Sequence, residues 1–124
     1  MLINIDYQDK RPIYEQVFEK LQNLIVKGVL TENDKIPSVR NMAIELSINP
    51  NTIQRAYQEL EREGYIYTVK GRGNFVSGRQ QWQSDKIGRC VSVLQDAAAE
   101  LYHLGVDRDS IVSRIDERIE EEKK

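Results

Sequence analysis

Between Pro12 and Gly28 the apolar residues Ile13, Val17, Leu21, Leu24 and Ile25 recur at helical spacing, which predicts an amphipathic helix that the glycine stops. Leu30 packs the connection that follows, and Thr31-Glu32-Asn33-Asp34-Lys35 reads as a polar turn. A second helix is expected from about Ser38 to Leu46, burying Val39, Met42, Ala43 and Leu46. In a third, Ile53, Ala56, Tyr57 and Leu60 fall at i, i+3, i+4 and i+7, again the spacing of a buried stripe. Three such stripes in succession imply one shared core. After Gly64 the rhythm changes. Tyr65-Ile66-Tyr67-Thr68-Val69 is rich in aromatic and β-branched residues, and Phe75-Val76 can pair back across a turn that holds Gly71 and Gly73, which predicts a hairpin.

Residues 78–84 are polar and turn-rich and are expected to form a linker between a domain of residues 1–77 and a segment of residues 85–124. In that segment Ile87, Val91, Leu94, Ala98 and Leu101 step by the three-and-four alternation of a coiled-coil seam before Gly105 ends the helix. Asp107 is placed to cap another helix, in which Ile111, Ile115 and Ile119 recur every fourth residue. So small a segment cannot cover either stripe alone, and a symmetric homodimer is the commonest way to bury such faces. Ile87, Val91, Leu94, Ala98, Leu101, Ile111 and Ile115 are therefore the expected dimer contacts.

Cap chemistry sharpens the middle of the chain. Ser38 can cap the second helix and Asn49 the third, with Pro50 at its first position, where φ is already helical and the missing N–H is not needed. Two short helices joined this way form a helix-turn-helix. The side of the third helix away from its buried stripe carries Asn51, Gln54, Arg55, Gln58 and Arg62, whose amides and guanidinia are the groups that read base edges and phosphates.

The runs Ile36-Pro37-Ser38-Val39-Arg40, Ile48-Asn49-Pro50-Asn51-Thr52-Ile53-Gln54-Arg55-Ala56-Tyr57 and Glu63-Gly64-Tyr65 resemble the GntR family of bacterial regulators. Pro12-Ile13-Tyr14-Glu15-Gln16 is similar to the family's entry into its first helix and Gly71-Arg72-Gly73-Asn74-Phe75-Val76 to its wing, so the resemblance covers roughly residues 9 to 77. Asn49-Pro50-Asn51-Thr52 and the short tail resemble the YtrA-like subfamily. Asn33 stands where a turn glycine is common and Ile36 where leucine is; asparagine tolerates the left-handed conformation, and isoleucine keeps the apolar contact. The resemblance implies a mainly α fold, a winged helix-turn-helix of three helices plus a β-hairpin wing followed by a two-helix dimerisation segment. It also implies that the arginine of Pro-Ser-Val-Arg, here Arg40, contacts DNA, and that the regulated genes include transport operons beside the regulator's own gene. Pro50 and Gln54 stand where other members often carry arginine, so the specificities of those members do not carry over.

Composition places the chain among soluble proteins, with 124 residues, 40% hydrophobic and 31% charged. No apolar run approaches the roughly 18 residues that cross a bilayer, and Met1-Leu2-Ile3-Asn4-Ile5-Asp6 lacks a basic leader, so a cytoplasmic location without a membrane partner is expected. Cys90, the single cysteine, cannot form an internal disulfide and beside Val91 reads as a small packed residue. Lys and Arg total 18 against 20 acidic residues, contrary to the basic footprint of many DNA binders. The distribution answers this. Asp107, Asp109, Asp116, Glu117 and Glu120 to Glu122 crowd the end of the chain, while Arg40, Arg55, Arg62, Lys70 and Arg72 belong to the candidate DNA face. Screening confines each charge to about 8 Å in physiological salt, so a local basic face is enough.

Each candidate contact has a plainer alternative. Arg40 near a helix N-terminus does not complement the helix dipole, which favours DNA over a solvated or ion-paired arginine. Arg55 is either a DNA contact or the partner of Glu59. Asn49 caps its helix whether or not it also touches DNA. Asn51 and Gln54 are candidates for base reading, since a carboxamide makes a bidentate contact to adenine, and Thr52 for a phosphate. Lys70 and Arg72 flank the wing glycines, where they serve a phosphate or a narrow minor groove unless they are merely a solvated turn.

The reading that results is a sequence-specific, DNA-binding transcriptional regulator: a dimeric repressor acting on a palindromic operator of its own or a neighbouring operon, with no effector named. The alternative is a winged-helix protein-interaction module without specific DNA binding, which the acidic balance suits and the amide-bearing third helix opposes. An enzyme is not expected, for lack of a nucleophile–base pair, a carboxylate constellation or a phosphate-cradling loop; Gly71-Arg72-Gly73 does not precede a helix. No cofactor is called for, and His103 has no second histidine or cysteine at metal-ligand spacing.

Overall fold

The computed structural model describes residues 2–124. Helix α1 (Ile13–Val26) follows Pro12 and buries Val17, Leu21 and Ile25, while Ile13 and Leu24 are half-buried at its edges. Gly28 at φ 78° turns the chain, which returns through a loop to strand β1 (Lys35–Ile36). Helix α2 (Val39–Leu46) is capped by Ser38, whose Oγ accepts from the Asn41 N–H at 3.1 Å, and ends at Ser47 in the left-handed conformation. Helix α3 (Pro50–Arg62) is capped by Asn49, whose Oδ1 accepts from the Asn51 N–H at 2.8 Å. Ile53, Ala56, Tyr57 and Leu60 are buried, as their spacing predicts, and pack α3 on α1 and α2.

Strands β2 (Ile66–Val69) and β3 (Gly73–Val76) form the hairpin, but the wing has three strands where a two-stranded one was expected. Strand β1 pairs antiparallel with β3, Lys35 opposite Phe75 and Ile36 opposite Asn74, giving the order β1-β3-β2. The turn read as merely polar makes this pairing. Asn33, at φ 70°, donates its N–H to the Val76 carbonyl, and the Val76 N–H returns to the Asp34 carbonyl, both at 2.8 Å. Ile36 is thereby fixed in the core.

Residues 78–84, expected as a linker, hold a 3-10 turn (Arg79–Gln81) and then Trp82, which is only 3% exposed. Its indole lies against Tyr65 with ring centroids 5.2 Å apart, and the Tyr65 hydroxyl accepts from Gln22 Nε2 at 2.8 Å. Burying so large a ring outweighs the polar composition around it. Gly64 permits the approach: at φ 85°, a Cβ there would lie 2.7 Å from the Gln81 carbonyl oxygen. The first compact unit accordingly runs through Gln83.

The second unit, from Ser84 onward, is built from helices α4 (Gln83–His103) and α5 (Arg108–Glu122). Gly105 at φ 94° ends the first, and Asp107 Oδ1 caps the second by accepting from the Ser110 N–H at 2.8 Å. Among the described residues the two helices have no extended packing on each other, and neither buries a residue. Ile87, Val91, Leu94 and Leu101 are exposed, and Ala98, Ile111 and Ile115 half-buried. Cys90 is exposed instead of packed, on a helix with no buried residue. Among the described residues no helix is long and apolar enough to cross a membrane.

Candidate nucleic-acid interface

The first unit presents α2, α3 and the wing on one scaffold. Tyr57 holds the helix pair together: its ring is buried in the core, and its hydroxyl donates to the Pro37 carbonyl at 2.7 Å, fixing the entry to α2 against the middle of α3. Burial, with the nearby Glu45 carboxylate, pushes the Tyr57 pKa above the ordinary phenol range, so the hydroxyl remains a donor. Arg40 stands one residue inside α2, exposed, with no ion pair among the described residues. A cation in the first helical turn, unneutralised, is unfavourable with the helix dipole, and a phosphate would relieve it.

Along α3, Asn51, Gln54 and Arg55 are exposed and Thr52 is half-buried. Asn49 is exposed and uses its Oδ1 in the cap, which leaves its amide N–H groups free of that bond. Arg55 does not pair with Glu59. Its guanidinium lies over the ring of Tyr14 on α1, 3.7 Å from the centroid, and Glu59 is taken instead by Arg62 at 2.5 Å, a bond that holds the Glu59 carboxyl below its ordinary pKa. Stacking occupies the flat face of a guanidinium and leaves its in-plane N–H groups available, so Tyr14 orients Arg55 without spending its donors. Nothing in the helical spacing of Tyr14 announces this contact; it depends on how α1 crosses α3.

In the wing, Lys70 and Arg72 are exposed in the turn between β2 and β3, which the Arg72 N–H closes on the Val69 carbonyl at 2.9 Å. Gly71 at φ 78° and Gly73 at φ 126° supply conformations that other residues rarely adopt. Below the turn, Tyr67 stacks on Phe75 with centroids 5.6 Å apart and donates to Asn33 Oδ1 at 2.6 Å, which stiffens the hairpin's outer side. The eight candidate contacts Arg40, Asn49, Asn51, Thr52, Gln54, Arg55, Lys70 and Arg72 all belong to this one unit. The seven seam residues belong to the second. No group of three or more His, Cys, Asp or Glu side chains placed to hold a metal occurs among the described residues.

Residues 13–76 match the bacterial regulatory proteins of the gntR family. The HTH-type transcriptional repressor YtrA of Bacillus subtilis is 47% identical over 76 residues, 61% of this chain and 58% of that repressor, so the chain spans less than two thirds of its length. Among solved structures, a GntR family transcriptional regulator from Listeria monocytogenes superposes with a TM-score of 0.73 at 32% identity, covering 91% of this chain and 98% of that one. The DNA-binding domain of AraR, in complex with operator ORE1, matches with a TM-score of 0.52 at 29% identity over 59% of this chain and 89% of that domain. The matched residues contain all of α1, α2, α3 and the three-stranded wing, and the chain belongs to the GntR family of bacterial regulatory proteins.

Proposed function

We propose that this regulator binds double-stranded DNA sequence-specifically, as a homodimeric repressor on a palindromic operator of its own or a neighbouring operon, transport genes included. The observation that carries the reading is the outer face of α3, where Asn51, Gln54 and Arg55 stand exposed at the capped start of a helix whose opposite side is wholly buried. This is the part of a helix-turn-helix that enters the major groove. Gln54 and Asn51 read base edges, Thr52 bonds a phosphate, and Asn49 adds a contact from the cap. Arg40, Arg55, Lys70 and Arg72 neutralise the backbone on either side. The operator-bound AraR domain and the YtrA repressor, both similar to this chain, support the assignment.

The homodimer rests on the apolar side chains of the second unit, since soluble monomers avoid large contiguous exposed patches. Ile87, Val91, Leu94, Ala98 and Leu101 form one stripe and Ile111 and Ile115 another, and a second copy covers both. Two reading heads related by a two-fold axis then require inverted half-sites about one helical turn, or a multiple, apart.

Selection of bound duplexes from a random pool by the full chain tests the whole reading: an inverted repeat is expected, and recovery of no enriched sequence would leave only a protein-interaction module. With that site in hand, Arg40→Ala should weaken binding to operator and scrambled DNA alike and lower the salt slope by about one unit. Gln54→Ala should instead cost about 1–3 kcal/mol at the operator, relax one base pair of each half-site and leave the slope unchanged. Sedimentation showing a monomer at micromolar concentration would refute the dimer.

A further inference from the structure

The wing carries a third cation that its sequence does not announce. Lys35 lies on β1, outside the hairpin, yet its register opposite Phe75, itself opposite Tyr67, puts these three residues in one row across the sheet. The next residue, Ile36, is buried, so Lys35 faces outward. Its stem crosses Gly73, where a Cβ would lie 3.0 Å from Lys35 Cε and 3.7 Å from Nζ. Gly73 follows Arg72 directly, and the Lys35 ammonium therefore ends at the base of the turn that holds Lys70 and Arg72. No ion pair among the described residues engages any of these three cations, whereas Arg11, Arg62, Arg118 and Lys123 all have carboxylate partners.

We infer that Lys35 is a DNA-backbone contact, completing with Lys70 and Arg72 a basic cluster on the wing that takes a phosphodiester. This rests on the DNA-binding reading above. Lys35, Lys70 and Arg72 are like charges on one three-stranded wing, and a phosphodiester bound against it is attracted to each of them. A purely structural lysine would matter through its stem, by covering Gly73. A phosphate contact matters through its charge.

Lys35→Met keeps the stem and removes the charge, and Lys35→Arg keeps the charge. Each is compared with the unaltered full chain for binding to operator and scrambled duplexes across a salt series. One phosphate contact contributes about 0.9 to the slope of log affinity against log salt. The Met variant should lose that amount on both duplexes, so that its affinity deficit is about 3.5-fold larger at roughly 50 mM than at roughly 200 mM salt. The Arg variant should retain the slope. A Met variant with an unchanged slope overturns the inference while leaving the DNA-binding reading intact, because the lysine then acts through its stem or not at all. An unaltered chain that shows no salt-dependent binding to any duplex overturns both.

Discussion

Trp82→Ala is expected to destabilise the first unit by about 2–4 kcal/mol. The indole is 3% exposed, and truncating a buried tryptophan to alanine costs about 3–5 kcal/mol through lost burial and the cavity left behind. That figure already contains the contact with Tyr65. Against it stands a gain: Trp82 Nε1 is buried without a hydrogen-bond partner among the described residues, and its removal returns about 1 kcal/mol of desolvation cost. For a unit of this size each kcal/mol moves the melting temperature by about 4–8 °C, so a fall of about 8–32 °C is expected. Trp82→Phe provides the contrast. It keeps an aromatic ring on Tyr65 and removes the unpaired donor, and should stay within about 1 kcal/mol of the unaltered chain. Urea and thermal unfolding followed by circular dichroism, with amide exchange in α1 and α3 to assign the loss to this unit, measures both. The same logic extends to truncation: a fragment ending at residue 83 should fold, and one ending at residue 77 should be weakened as Trp82→Ala is. An alanine variant within about 0.5 kcal/mol of the unaltered chain would refute the reasoning. So would a phenylalanine variant as damaged as the alanine one, since burial of the ring would then not be the source of stability.

Gly64→Ala should cost about 2 kcal/mol or more, from a positive φ and a clash of the new methyl with the Gln81 carbonyl 2.7 Å away, read as a lowered urea midpoint. Tyr14→Leu removes the ring beneath Arg55 and should weaken operator binding by about 0.5–1 kcal/mol, whereas Tyr14→Phe should not; equal losses in titrations of the two would refute the stacking role. The hydrogen bonds from Ser110 hold the Asp107 carboxyl below its ordinary pKa. Its support of α5 is therefore fully present above an ordinary carboxylate pKa of about 4 and disappears as pH falls through the lower folded value. The Ser110 amide resonance should follow that titration in the unaltered chain and lose its pH dependence in Asp107→Ser.

What the chain determines locally was legible from its residues alone. Ser38, Asn49 and Asp107 cap the helices at which their side chains were expected, because a cap satisfies N–H groups only two or three residues away. The stripe of Ile53, Ala56, Tyr57 and Leu60 is buried and Gln54 is exposed, because helical geometry separates those positions whatever the partner. Asn33 accepts the left-handed conformation expected of it. Contacts between distant segments were not legible. Strand β1 has two residues, too few to show a period, and exists only because β3 lies beside it. Trp82 sits in a polar stretch, where a large ring reads as a core or linker anchor, but its partners there, Tyr65 and the gap at Gly64, are set only by the fold. Arg55 chooses Tyr14 over the nearer-in-sequence Glu59, and Lys35 reaches the wing turn across Gly73, for the same reason. Backbone conformation is set by neighbours a few residues along the chain, whereas burial and pairing are set by whichever surfaces exclude water together, and only the folded arrangement decides which those are.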